Sequence, residues 1–253
     1  MFTKAIVRKP GRSFIRGLTT ANLGSPDYNK ALEQHAAYVE ALVLCDLKVI
    51  VLEADENFPD SVFIEDTVLL TPYCAIITNP GADSRKGETI GMKEVLSPYF
   101  EDIEEIKKPG TLDAGDVMVV EDHYYIGLSE RTNLKGALQL IAILKNNGFT
   151  GTLVRLQEVL HLKTGLSYLE EGNLLVCGEF ISNPTFEEFI RIEVPSDEAY
   201  AANCIWVNNK VLIPSGHPIT RGKIKEAGYE IIELDMSEFQ KLDGGLSCLS
   251  LRF

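Results

Sequence analysis

A cysteine and a histidine in this sequence are of the residue types that carry out covalent chemistry. Cys248 lies in the apolar segment LDGGLSCLSLRF (242–253), and His161 follows an apolar run at the start of HLKTG (161–165). A thiolate can attack an electrophilic carbon, and a histidine can carry the proton that a leaving group needs. Free cysteine is also among the most buried residue types, and a lone histidine is more often hydrogen-bonded structure. The pair therefore predicts a nucleophile and its acid/base only if further residues support it.

Acidic and basic side chains could supply that support. Carboxylates stand at or near the starts of two apolar runs: Asp60, Glu65, Asp66, Asp113 and Asp116. Asn203 and Cys248 stand at the starts of two later runs. Arg85 and Arg131 fall in predicted loops. If the strands repeat radially, equivalent strand starts converge, and these side chains would line one pocket with His161. Taken singly, each is also typical of an exposed strand residue, a turn or a weak surface ion pair.

The composition is that of an ordinary globular protein, with 45% hydrophobic and 24% charged residues and a mean hydropathy of +0.02. The net charge is 24 − 37 = −13, which disfavours a nucleic-acid partner because such binding needs a basic footprint. The five cysteines show no CxxC spacing, so reduced thiols are expected, without a disulfide framework or zinc site. No secretory signal or membrane-spanning run is visible, and we expect a cytoplasmic protein.

The elements that must position these residues follow a repeated order. Strands are predicted at Lys4–Arg8 and Lys48–Leu52. The helix between them is capped by Asp27 and has an apolar face of Leu32, Ala36, Val39 and Val43. Hairpins of paired apolar runs follow at 63–79, 113–129, 162–180 and 203–216. Each hairpin precedes a lone strand, with helical segments between them at 88–96, 133–145, 184–189 and 218–227. The order ββαβ thus recurs with a period of roughly 40–50 residues, in the range of propellers and other arrays.

The last apolar segment would complete the array. A strand at 246–252, with Cys248 near its start, could pair beside the strand Lys4–Arg8. That pairing would make a fifth unit from both chain ends and remove an unpaired apolar edge. We therefore predict one α/β domain over residues 1–253, built as a closed ring of five ββαβ modules, an α/β propeller. An ordinary mixed sheet is the alternative that periodicity leaves open.

Five motifs together resemble one known family. They are FIEDT (63–67), TLDAGDV (111–117), HLKTG (161–165), AANCIWVN (201–208) and LDGGLSC (242–248). They look like the motifs of the dimethylarginine dimethylaminohydrolases, guanidine-modifying hydrolases of the pentein superfamily. The resemblance runs in the same order from the first strand to the last residue, without a large insertion. It implies a pentein-type α/β propeller with pseudo-fivefold symmetry.

The resemblance implies three catalytic roles. Cys248 takes the position of the nucleophilic cysteine, and His161 takes that of the general acid/base. Asp113 takes the position of the acidic residue that orients the histidine, where some relatives carry glutamate. The implied reaction is hydrolysis of asymmetric dimethylarginine or monomethylarginine to citrulline plus dimethylamine or methylamine. It would pass through an S-alkylthiouronium on the cysteine.

The resemblance also implies a set of substrate-holding positions: Leu18, Asp60, Glu65, Asp66, Arg85, Arg131 and Leu242. Glu65 and Asp66 can accept hydrogen bonds from a planar guanidinium. The two arginines suit the substrate carboxylate, and Asp60 with the carbonyl of Leu18 suits its ammonium. No metal or cofactor is implied, and zinc in a pocket of histidine, cysteine and carboxylate would block the thiol, so we expect inhibition by zinc. The implied partner is a small methylated arginine, bound by a monomer or homodimer.

Other functions share parts of this residue set. Arginine deiminases and amidinotransferases use similar constellations but resemble longer chains, and a deiminase-like hydrolase is the main alternative. A non-catalytic pentein, such as a ribosomal anti-association factor, has no need of Cys248, His161 and Asp113 together. A thiol protease shares the cysteine, histidine and aspartate but has no use for Glu65 with Asp66.

Overall fold

The strands form five sheets of three strands each. A computed structural model describes all residues from 1 to 253. The strands are β1 (Lys4–Arg8), β2 (Lys48–Leu52), β3 (Val68–Leu70), β4 (Cys74–Ile77), β5 (Asp102–Glu105), β6 (Val117–Val120), β7 (His123–Leu128), β8 (Thr150–Arg155), β9 (Leu166–Tyr168), β10 (Asn173–Val176), β11 (Ile190–Glu193), β12 (Ile205–Val207), β13 (Lys210–Pro214), β14 (Glu230–Leu234) and β15 (Leu251–Arg252). In each sheet the central strand pairs with one antiparallel and one parallel neighbour. The predicted α/β class and the four predicted hairpins are confirmed.

The helices are fewer than the strands. They are α1 (Tyr28–Leu44), α2 (Met92–Leu96), α3 (Leu134–Asn146), α4 (Leu162–Gly165), α5 (Pro218–Glu226) and α6 (Ser237–Gln240), together with several 3₁₀ turns. The helix predicted at 184–189 is wrong beyond the 3₁₀ turn Pro184–Phe186, because β11 already begins at Ile190. The segment predicted at 88–96 is split between the 3₁₀ helix Asp83–Thr89 and α2. No helix combines the length and the apolar character needed to cross a bilayer.

The chain divides into two compact units. The first unit comprises Met1–Ile64 with Gly165–Phe253, and the second comprises Glu65–Thr164. Sheets β15-β1-β2, β9-β10-β11 and β12-β13-β14 belong to the first unit, and sheets β3-β4-β5 and β6-β7-β8 belong to the second. Each sheet is therefore complete within one unit.

The two chain ends pair in the first unit. β15 runs antiparallel to β1, with Ala5 opposite Arg252 and Ile6 opposite Leu251. The predicted pairing of the ends is confirmed, but the predicted strand at 246–252 is mostly wrong. Ser247–Leu249 is a 3₁₀ turn, since the Cys248 N–H donates to the carbonyl of Gly245 and is not available to a strand ladder. Only Leu251 and Arg252 remain extended.

Helix α1 supports the turn that carries Cys248. Asp27 caps it as predicted, with Oδ1 accepting from the N–H groups of Asn29 (2.8 Å) and Lys30 (3.1 Å). The predicted apolar face is only partly right: Val39 packs against the core, but Val43 is 54% exposed while Tyr38 is fully buried. The Tyr38 hydroxyl lies 3.0 Å from the carbonyl oxygen of Leu246, to which it donates, so α1 holds the backbone just before the cysteine.

The second unit packs α3 against the sheet β6-β7-β8. The side chain of Asn133 caps α3 by accepting from the Gly136 N–H at 2.8 Å. Apolar residues of the helix and the strands form one core: Leu112, Val117, Tyr124, Ile126, Leu140 and Leu144. Burying such side chains stabilises the unit by about 1.5–3 kcal/mol for each large residue. The strand starts of this unit are thereby fixed in place.

A short helical turn precedes the first strand of every sheet. These turns are Ile64–Thr67, Ala114–Asp116, α4, Ser196–Ala202 and Ser247–Leu249. The polar residues that the sequence places before the apolar runs lie in or beside these turns. A helical turn exposes backbone N–H groups at its start, and carboxylates and amides in neighbouring turns can accept from them.

Candidate active site

His161 and Asp113 are brought together in the second unit. His161 immediately precedes α4, and its Nε2 lies 3.1 Å from Oδ2 of Asp113. Asp113 is fully buried, and its Oδ1 accepts from the Gly81 N–H at 2.8 Å. The side chain of His161 retains 13% exposure. A buried carboxylate thus fixes the orientation of an imidazole that retains partial exposure.

Surrounding charge keeps His161 protonated. Burial lowers the pKa of its imidazole, but the charge of Asp66, the hydrogen bond with Asp113 and the charge of Asp116 together raise that pKa from 6.5 to about 9. At neutral pH the ring is therefore an imidazolium. A histidine in that state can donate a proton to a departing amine.

Arg85 lies between two buried carboxylates. Its Nη1 is 2.5 Å from Oδ2 of Asp66, and its Nη2 is 2.7 Å from Oε2 of Glu88. Asp66 also accepts from the Gly115 N–H at 2.9 Å. Burial raises the pKa of Asp66, but the charges of His161 and Arg85 outweigh it and lower that pKa to about 2. Arg85, which the sequence predicts in a loop, lies on the 3₁₀ helix Asp83–Thr89 and is 6% exposed. Arg85 and Asp66 are both predicted to contact the substrate, and in the structure they bind each other.

Replacing Arg85 by methionine is expected to lower the free energy of unfolding by about 3–5 kcal/mol, because two buried carboxylates would lose their counter-ion. Urea denaturation at neutral pH measures the loss. Arg155→Met is the matched control, since Arg155 is exposed on β8 of the same unit. Equal losses in the two variants would show that the buried pairs contribute nothing.

Glu65 is paired with a residue that sequence reasoning missed. Lys163 Nζ lies 2.6 Å from Oε1 of Glu65, and the two side chains are 16% and 7% exposed. Lys163 stands in the HLKTG segment, two residues after His161. Its place in that motif could have marked Lys163 as a site residue, but the neighbouring sequence does not show that its partner Glu65 lies 98 positions away. The structure places an ammonium on a carboxylate predicted to hold a guanidinium.

Arg131 lies in the turn after β7, half-buried. Its backbone N–H donates to Oγ of Ser129 at 3.0 Å. A Cβ at Gly81 would overlap the backbone of Arg131, so only glycine permits this close approach. The backbone of Arg131 is thus held from two sides.

Cys248 is the one cysteine that is not buried. The Gly245 N–H lies 3.4 Å from its Sγ. Asn203 holds the same turn, with Oδ1 accepting from the Ser247 N–H (3.0 Å) and Nδ2 donating to Ser247 Oγ (3.1 Å). By contrast, burial raises the pKa of Cys45 to about 11 and that of Cys204 to about 12. Cys248 is therefore the most accessible of the five thiols.

Leu18, Asp60 and Leu242 also lie in the first unit. The Leu18 N–H donates to Oδ1 of Asp60 at 2.9 Å, and Asp60 is 5% exposed. Thr20 binds Oδ2 of Asp243 through its N–H (2.5 Å) and its hydroxyl (3.0 Å). The exposed loop after β1 is therefore attached to the segment that leads to Cys248.

The predicted residues divide between the units. The second unit brings together His161, Asp113, Glu65, Asp66, Arg85 and Arg131, and the first holds Cys248, Leu18, Asp60 and Leu242. Chemically, the second unit offers an imidazolium with buried carboxylates. The first offers an accessible thiol and a buried carboxylate, Asp60.

Three side chains of the second unit could be considered as metal ligands. Ligand atoms of Asp66, Asp113 and His161 lie within 4.8 Å of one another. Both oxygens of Asp66 already accept hydrogen bonds, one of them from the Arg85 guanidinium. A cation at this point would face that guanidinium and would have to displace the proton of His161. The donor set suits a protonated histidine better than a metal ion.

Comparison with known proteins gives one consistent result. A model of the eukaryotic N,N-dimethylarginine dimethylhydrolase family matches residues 24–249. The chain is 57% identical over 254 residues to the N(G),N(G)-dimethylarginine dimethylaminohydrolase of Pseudomonas aeruginosa, and the match covers 100% of both chains. The family resemblance that the five motifs indicate is therefore confirmed over the full length of the chain.

Solved structures agree with this match. A dimethylarginine dimethylaminohydrolase from Pseudomonas aeruginosa, in a cysteine-to-serine variant complexed with citrulline, superposes with a TM-score of 0.99 at 57% identity over 100% of both chains. An adduct of a histidine-to-glycine variant with S-methyl-L-thiocitrulline matches with the same values. The N-terminal domain of ArgZ, covalently bound to a reaction intermediate, covers 98% of this chain and 97% of its own with a TM-score of 0.89 at 22% identity. That last likeness shows a shared α/β fold.

Proposed function

Because the chain belongs to the dimethylarginine dimethylaminohydrolase family, we propose that Cys248 attacks the guanidinium carbon of a methylated arginine and that His161 transfers the protons. The enzyme hydrolyses asymmetric dimethylarginine and monomethylarginine to citrulline plus dimethylamine or methylamine. The observation that carries the assignment of roles is the pair of His161 and Asp113, because Asp113 orients the imidazole and, with the charge of Asp66, keeps a proton on it at neutral pH.

The first half of the reaction forms the covalent intermediate. The thiolate of Cys248 adds to the guanidinium carbon, and a tetrahedral adduct forms. His161 donates its proton to the methylated nitrogen, the carbon–nitrogen bond breaks, and the amine leaves. An S-alkylthiouronium remains on Cys248. Asp113 keeps the imidazole oriented and stabilises its charge throughout.

The second half returns the enzyme to its starting state. Neutral His161 takes a proton from water, and the hydroxide adds to the same carbon. The carbon–sulfur bond breaks, the hydroxyl proton of the adduct passes to solvent, citrulline leaves, and the thiolate is regenerated. His161 gives one proton to the amine and regains one from water, so the atoms and charges of the cycle balance without a metal or cofactor.

The proposed substrate contacts follow charge. Glu65 and Asp66 face the guanidinium, Asp60 and the carbonyl of Leu18 receive the ammonium, and Leu242 lines the chain of the substrate. Arg85 and Arg131 receive the substrate carboxylate. Asp66 and Glu65 already form buried ion pairs with Arg85 and Lys163, so in this proposal each carboxylate accepts from a protein cation and from the substrate guanidinium together.

We further propose that the two units act as one domain over residues 1–253, in which the five modules close a pseudo-fivefold ring. The support is that the fifth sheet is built from both chain ends and has the strand order of the other four. A cytoplasmic location and a monomeric or homodimeric state belong to the same proposal. Five free cysteines are typical of a reducing compartment.

The test of function is citrulline release from asymmetric dimethylarginine, monomethylarginine and arginine. We expect kcat/KM for the methylated substrates to exceed that for arginine by roughly 10-fold or more, as expected when an apolar pocket receives the methyl groups. Release of ammonia from arginine with equal efficiency would instead assign the chain to a deiminase reaction. No turnover by folded protein with a free thiol would remove the catalytic proposal.

A further inference from the structure

Asp116 is a buried carboxylate that the reaction above does not use. It is fully buried in the second unit. Its Oδ1 accepts from the Leu162 N–H at 3.0 Å, and its Oδ2 accepts from the Ser129 hydroxyl at 2.6 Å. Leu162 is the residue directly after His161. One carboxylate therefore binds the backbone beside the acid/base and a separate turn after β7.

The Ser129 hydroxyl links Asp116 to the backbone of Arg131. Ser129 Oγ accepts from the N–H groups of Arg131 and Thr132, each at 3.0 Å. A hydroxyl has one proton and two lone pairs, so a serine that donates to Asp116 has both lone pairs for these two N–H groups. Asp116 thus orients the Ser129 hydroxyl so that it accepts from the backbone of the turn that carries Arg131.

The hydrogen bonds close into a circuit. Thr132 Oγ1 accepts from the N–H of Asp113 at 3.1 Å, and Asp113 binds Nε2 of His161. From His161 the chain leads through Leu162 back to Asp116. Each residue of this closed network is bound to two others, and a fully satisfied buried network of this kind holds its side chains in one conformation.

We propose that Asp116 is a positioning residue that couples the two ends of the substrate, holding His161 at the reacting carbon and Arg131 at the substrate carboxylate. This inference rests on the proposed function, because it takes the roles of His161 and Arg131 from there. Two acceptors on one rigid group are required, and a carboxylate provides them. Asparagine has the same shape but only one acceptor oxygen, so it can satisfy either Leu162 or Ser129 and not both.

Asp116 has two arms in this network, one to Leu162 beside His161 and one through Ser129 to Arg131, and two variants separate them. Ser129→Ala removes the arm to Arg131 and leaves the arm to Leu162. Asp116→Asn breaks one of the two contacts, because the amide has a single acceptor oxygen, and it removes from the other contact the charge that strengthens it. Each is assayed with asymmetric dimethylarginine and with its analogue that lacks the α-carboxylate, a dimethylated agmatine, because only the first substrate reports on Arg131.

For Ser129→Ala we expect KM for asymmetric dimethylarginine to rise roughly 10-fold with kcat within about twofold, and kcat/KM for the analogue to stay unchanged. For Asp116→Asn we expect the same rise in KM and, in addition, a fall of kcat by roughly 10- to 100-fold on both substrates, since small displacements of a catalytic group have effects of this size. Ser129→Thr keeps the hydroxyl and should restore the KM. The nitrogen chemical shifts of His161 should move in Asp116→Asn and not in Ser129→Ala.

Controls distinguish positioning from general damage. Asp122→Asn and Ser97→Ala make the same chemical changes at exposed positions of the same unit and should match the wild type. Urea denaturation verifies that each assayed variant is folded. If Asp116→Asn does not fold, Ser129→Ala with the two substrates still decides the Arg131 arm.

Three outcomes would overturn the inference. One is an unchanged KM in Ser129→Ala while the wild type is active. Another is an equal loss on both substrates in Ser129→Ala, which would mean a general structural role. An inactive wild type would overturn the proposed function and the inference with it, whereas an active wild type with unaffected variants overturns the inference alone.

Discussion

Replacing Cys248 by serine is expected to reduce citrulline release by roughly four to six orders of magnitude, the size seen when a covalent nucleophile is removed. A serine hydroxyl is a far weaker nucleophile than a thiolate at neutral pH, and His161 is already protonated and cannot act as its base. The fold should be retained, because serine fits the 3₁₀ turn and can accept from the Gly245 N–H. Steady-state assays with asymmetric dimethylarginine measure the loss, and urea denaturation checks stability.

The matched control is Cys177→Ser, which makes the same change at a buried thiol of the first unit. It should keep its rate within about twofold when folded. Acid-quenched intact-mass spectrometry adds a second readout, because a thiouronium should form on the wild type and not on Cys248→Ser. An active serine variant, or an adduct that persists without Cys248, would rule out this thiol as the nucleophile.

Replacing Asp113 by asparagine is expected to lower kcat by roughly 10²- to 10⁴-fold, within the range of general acid/base contributions. The isosteric amide can still accept from the Gly81 N–H but carries no charge to orient and stabilise the imidazolium. The pKa of His161 should fall below the present value of about 9, because one of the interactions that raise it is lost. Assays of kcat and an NMR titration of His161 measure both effects, with Asp122→Asn as the exposed control.

The raised pKa of His161 makes the free energy of unfolding depend on pH in a defined direction. The folded-state pKa of His161, about 9, lies above the ordinary value of 6.5, so the folded state holds its proton more tightly. The stabilisation, on the order of 3 kcal/mol, is therefore fully present below pH 6.5 and is lost as the pH rises through about 9. In Asp113→Asn the loss should occur at lower pH. The wild-type kcat/KM should also decline above pH 9, and a titration of His161 near 6.5 in the wild type would contradict this account.

Much of the fold followed from local patterns. Alternating apolar runs predicted the four hairpins, and Asp27 predicted the start of α1, because a strand or a cap is decided by residues adjacent in sequence. The pairing of the chain ends was also predictable, since an apolar terminal segment requires a partner. The face of α1 was not, because Tyr38 binds Leu246, which lies 208 positions away.

The amino-acid sequence shows which residue types are available: an ordered set of motifs with two cysteines, one histidine and their carboxylates. Tertiary structure decided how they are paired. Arg85 with Asp66, Lys163 with Glu65, and Asp116 with Leu162 are joined across 19, 98 and 46 positions. The physical reason is that a charge buried in the fold must find its partner in space, and neither burial nor partner is visible in the residues beside it along the chain.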